Sequence, residues 1–149
     1  RRIGDVYTRM DAIYSSPAGS FGAVEIEFGR DTLDASRGIL DDIAVLNTRY
    51  GVNKSNNKAL VICLHLPNAR QGYWQVVKDV SNVEHIKIGT VTIGALMLLL
   101  WNGCKLEPER NLYYIDYDNM NLRQAICYQL DCEDIDVSTK ELGIFEPNK

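Results

Sequence analysis

Apolar and acidic side chains alternate over Ala23-Val24-Glu25-Ile26-Glu27-Phe28, the period of a strand with one wet face. Gly29 closes that run. Upstream, Val6 to Tyr14 alternates only loosely, and Ser15 to Ser20 is rich in turn formers. Ile39, Leu40, Ile43, Leu46 and Tyr50 then recur at helical spacing and predict an amphipathic helix over Ser36 to Tyr50. Asp34 or Ser36 can cap its start, and Gly51 stands where a helix stop is expected. In this reading Asp41, Asp42 and Asn47 take the solvated side. Ala59 to Leu66 predicts a buried strand ended by Pro67, with a helix as the alternative.

From Gly72 the pattern reads as mostly extended, with Trp74, Val76 and Val77 before a polar turn at Ser81-Asn82. Ile86 to Trp101 reads as β-rich, its last stretch Ala95 to Trp101 as a buried strand, with bends at Gly89 and Gly94. Asn102-Gly103 is a hairpin signal. The return strand would begin at Cys104 to Leu106 and resume at Tyr113-Tyr114-Ile115. Asn119 can cap a last helix carrying Leu122, Ala125, Ile126 and Leu130 on one face, and short strands at Ile135–Val137 and Leu142–Phe145 would close the chain. These elements predict an α+β fold: one globular domain over residues 1–149, a mostly antiparallel sheet packed against two amphipathic helices.

Composition narrows the function. The chain has 149 residues, 46% hydrophobic and 24% charged, which excludes disorder as the default. Its net charge of −4, from 16 basic and 20 acidic residues, argues against gripping nucleic acid or an anionic membrane through the overall field. The longest apolar run, Ala95 to Trp101, falls far short of the ~20 residues a spanning helix needs. The sequence opens on Arg1-Arg2 without an initiator methionine, so a flexible upstream tail is expected.

Candidate chemistry is sparse. His65 and His85 lie near no nucleophile motif and read as structural histidines. Cys63, Cys104, Cys127 and Cys132 contain no C-x-x-C pair and read as free thiols in a reducing compartment. Asp116-Tyr117-Asp118 matches a bare D-x-D, the pattern by which some transferases hold a divalent ion, but no phosphate loop accompanies it. Asp131, Glu133, Asp134 and Asp136 lack the offsets of a calcium loop and read as a solvated acidic loop. Arg70-Gln71-Gly72-Tyr73-Trp74-Gln75 places a cation beside two amphipathic rings, a composition suited to protein or membrane contact. Lys78 and Lys87 would add a basic rim; the competing reading puts Trp74 in the core. No catalytic residue, metal ligand or cofactor site is expected.

The order of features resembles a rhabdovirus matrix protein, with a plant-infecting member the nearest kind. The resemblance lies in Val24-Glu25-Ile26-Glu27-Phe28, the helix from Ser36 to Tyr50 with Gly51, a lysine at Lys54 or Lys58, and the apolar Leu60 to Leu66. Ile88-Gly89 with Thr90 to Leu100, and Leu122-Arg123-Gln124-Ala125 through Phe145, take the later places. It departs from the family in having no P-P-x-Y or P-T-A-P motif and no lysine-rich tail. The resemblance implies a structural protein of the virion, not an enzyme. It would self-associate and bridge the nucleocapsid to the inner membrane leaflet in assembly and budding, in host cytoplasm and at the inner face of host membranes. Lipid attraction would come mainly through the tail, and contact through Arg70, Tyr73, Trp74, Lys78 and Lys87. Two other readings compete: a nucleic-acid or protein-binding viral module such as a movement-protein core, and a metal-dependent transferase using Asp116 and Asp118.

Overall fold

A computed structural model describes residues 10–15, 19, 21–29, 32–53, 57–105, 122–136 and 143–148. The fold is α+β, but its sheet is mixed. Strands β1 (Ala12–Ser15), β2 (Phe21–Glu27), β3 (Asn57–Cys63) and β4 (Ile88–Thr92) lie side by side in chain order. β1 pairs antiparallel with β2, while β2, β3 and β4 run parallel. Parallel neighbours need crossover helices: α1 (Thr32–Tyr50) joins β2 to β3, and α2 (Gly72–Glu84) joins β3 to β4. Right-handed crossovers that advance in one direction place both helices on one face, and α1 packs on β2, β3 and α2. The expected mostly antiparallel sheet is therefore corrected. The described helices number four: α1 and α4 (Leu122–Leu130) stand at the two anticipated places, and α2 and α3 (Ile93–Trp101) are additional.

Two segments expected to be extended are helical. In α2, Tyr73, Trp74 and Val77 share a buried face at helical spacing. Its end is marked by His85 in the left-handed conformation (φ 57°) rather than by glycine. In α3, Thr92 supplies the N-cap: its Oγ1 accepts from the Ala95 amide at 3.2 Å and donates to the Ile144 carbonyl at 2.8 Å. Asn102-Gly103 is no hairpin but the stop of α3. Gly103 adopts φ 68°, its amide donates to the Leu100 carbonyl, and the Cys104 amide donates to the Leu99 carbonyl at 2.9 Å, the paired bonds of a Schellman motif.

The closing strands do not form at the described positions. Ile135, Asp136 and residues 143–146 are irregular, and their backbone groups serve other partners. Leu66 donates to the Gly143 carbonyl at 2.7 Å. Arg123 holds this segment together. Its guanidinium donates to the Ile135 carbonyl at 2.7 Å, pairs with Asp134 and Glu146 at 3.3 Å each, and lies 5.3 Å from the Phe145 ring centroid. The expected strand at Tyr113–Ile115 and the cap at Asn119 lie outside the described residues.

Candidate functional site

Cross-strand partners in a sheet share a face, so the register sorts the side chains of β2. Glu25, Val61 and Thr90 form one row, and Glu27, Cys63 and Thr92 the next. Thr90 meets Tyr73 of α2, with Oγ1 and Oη 2.7 Å apart, and a Cβ on Gly38 of α1 would lie 3.5 Å from Glu25 Oε1. The helix-covered face is therefore the one bearing Glu25 and Glu27. Ile26, on the opposite face, is 41% exposed. The alternation of β2 is inverted against expectation: its carboxylates face the helices, and its third apolar side chain faces water.

Helix α1 repeats the anomaly. Its buried stripe is Thr32, Ala35, Ser36, Ile39, Asp42, Ile43 and Leu46. Asp42, expected on the solvated side, sits in that stripe at 7% exposure, and its Oδ2 has no hydrogen-bond partner. Asp11, just before β1, reaches the same wall, and its Oδ2 accepts from the Ile26 amide at 2.8 Å. Burial raises the Glu25 carboxyl above the ordinary carboxylate range, with Asp11, Asp42 and Glu27 adding repulsion. Burial also raises Asp42, with repulsion from Asp11 and Asp41.

Glu25 of β2 and Asp42 of α1 are thus inward-facing carboxylates, with repulsion from Asp11 acting on both. Among the described residues no group of three or more His, Cys, Asp or Glu side chains is placed to hold a metal ion. An Mg²⁺-class ion needs only one or two protein carboxylates, because it keeps several waters. The signal for Asp42 was present in the sequence, three residues after Ile39 and four before Leu46. That for Glu25 was not, because alternation alone does not say which face is covered.

The anticipated contact set divides. Tyr73 and Trp74 are fully buried, which corrects their assignment to a contact surface. Their rings meet edge to face at 5.1 Å, and Trp74 Nε1 donates to the Pro67 carbonyl at 3.1 Å. Arg70 and Lys87 are exposed and Lys78 is half-buried. Arg70 precedes α2 and Lys87 follows it, so a helix of 13 residues, about 20 Å, separates them. They form no single patch. Asp116 and Asp118 lie outside the described residues.

Two other features stand out. Met97, Leu100 and Trp101 share one face of α3 at 43%, 72% and 75% exposure. A cleft of about 880 Å³ is lined by Cys104, Lys105, Cys127, Tyr128, Gln129, Asp131, Cys132 and Glu133. All four cysteines are free thiols. Among the described residues no helix is long and apolar enough to cross a membrane. Comparison with known protein families, curated proteins and solved structures finds no match to this chain.

Proposed function

We propose that Glu25 and Asp42 together take one divalent cation of the Mg²⁺ class. The observation that carries the reading is the buried, unpartnered Asp42 oxygen beside an inward-facing Glu25. Mutual repulsion of carboxylates costs the fold stability, and a bound cation relieves it. An ion held by two carboxylates completes its shell with waters or other oxygen ligands.

The test joins pH to cation binding. Both carboxyls have raised folded-state pKa values. Their favourable contribution is therefore full below the ordinary carboxyl range and is lost as pH rises through the raised values. Asp42→Asn should raise the melting temperature at pH 7, and the gain should shrink as pH falls below about 4. Wild type should be stabilised by Mg²⁺ or Mn²⁺, by about 2.7 kcal/mol at a hundred-fold excess over Kd, and Asp42→Asn and Glu25→Gln should lose that gain. A wild type indifferent to both ions, with no bound Mn²⁺ by electron paramagnetic resonance, would overturn the reading.

A second reading rests on the α3 ridge. A contiguous exposed apolar surface suits protein contact, and self-association is the property the matrix resemblance implies. Arg70, Lys78 and Lys87 would then serve as peripheral charges, with nucleocapsid and inner leaflet as further partners and an upstream tail supplying the lipid attraction. In sedimentation velocity over a range of concentration and salt, reversible oligomers should form and Trp101→Glu should abolish them. A wild type that stays monomeric throughout counts against this reading.

A further inference from the structure

Helix α4 ends as α3 does, in a Schellman motif, but with an aspartate in place of glycine. Asp131 takes φ 54°, its amide faces the Tyr128 carbonyl at 3.4 Å, and the Cys132 amide donates to the Cys127 carbonyl at 3.1 Å. In this motif the residue two beyond the helix comes back against the side chain three before its end. Here those two residues are Cys132 and Cys127. Their side chains share the wall of the 880 Å³ cleft with Cys104 and Lys105. The members of the pair differ in access: Cys132 is exposed, whereas Cys127 is 7% exposed.

From this geometry we infer that Cys127 and Cys132 form a redox modification site for a hydroperoxide, with Cys132 the reacting thiol and Cys127 the resolving one. The Cys132 sulfur attacks the terminal peroxide oxygen, the O–O bond breaks, Cys132 becomes a sulfenic acid, and its thiol proton leaves on the alcohol or water released. The Cys127 sulfur then attacks the Cys132 sulfur; the S–O bond breaks, a disulfide forms, and water carries away the hydroxyl and the Cys127 proton. The peroxide is the two-electron oxidant, and a low-molecular-weight thiol pair reverses the reaction. Burial, then the Cys132 thiol, then Asp134 hold the Cys127 thiol above its ordinary pKa, with Arg123 acting in the opposite direction. Its exposure makes Cys132 the thiol that a peroxide meets first. The neighbouring Cys104 is engaged elsewhere, its Sγ 3.8 Å from the Gln129 carbonyl oxygen.

The whole chain is treated with equimolar hydrogen peroxide and then analysed by intact mass and non-reducing peptide mapping. The expected product has lost the mass of two hydrogens and links the Cys127 and Cys132 peptides. Cys127→Ser should instead trap a sulfenic acid at Cys132, captured by dimedone, and Cys132→Ser should give neither species. Linkage of Cys104 to either partner, or a wild type that yields only intermolecular dimers or keeps both thiols reduced, would overturn the inference. Position 132 is exposed, so Cys132→Ser leaves the packed interior untouched.

Discussion

Trp74→Ala should cost about 3–5 kcal/mol, a large share of the 5–15 kcal/mol typical of a domain. Trp74 is the largest of the fully buried side chains. Its removal opens a cavity in the core, breaks the edge contact with Tyr73, and leaves the Pro67 carbonyl without its Trp74 donor. Urea denaturation should show a much lower midpoint. Trp74→Phe keeps most of the volume and loses the hydrogen bond, so about 1–3 kcal/mol is expected. A loss below about 1 kcal/mol in the alanine variant would place Trp74 at the surface, as a contact-loop reading of the sequence requires.

Gly22→Ala should be nearly as damaging, by about 3 kcal/mol, at the upper end of overpacking costs. Gly22 lies in β2 opposite Tyr14 of β1, and the Tyr14 ring lies across it. A methyl group there would fall on that ring and on the Lys58 carbonyl oxygen of β3. The ring can turn away; a backbone carbonyl in a sheet cannot. Tyr14→Ala therefore should not rescue Gly22→Ala, and a double variant restored to the stability of Tyr14→Ala alone would show that the side chain was the whole obstacle.

The sequence was readable where one period ran cleanly. β2 and α1 each carry a repeating apolar pattern, and both form at nearly the expected positions. α2 is harder to read, because Trp74, Val76 and Val77 fit an extended pattern while Tyr73, Trp74 and Val77 share a helical face. The topology turns on that choice, since without a crossover helix β3 and β4 cannot be parallel. α3 is harder still: a run from Ala95 to Trp101 with no polar position has no period to read, and its helical state depends on a Thr92 cap visible only in three dimensions. The carboxylate wall was hidden for another reason. Burying Asp42 and turning Glu25 inward breaks the rule that acidic residues face water, and such violations concentrate at functional sites.

The placement of the two tryptophans has a spectroscopic consequence. Trp74 has no exposed surface, while Trp101 is 75% exposed on the α3 ridge. Intrinsic fluorescence should therefore contain a blue, quencher-protected component from the interior and a red, readily quenched one from the surface. Unfolding would move the first toward the second, whereas covering the ridge would shield the second and leave the first unchanged. The native chain thus carries its own pair of reporters, one for the integrity of the core and one for whatever binds α3.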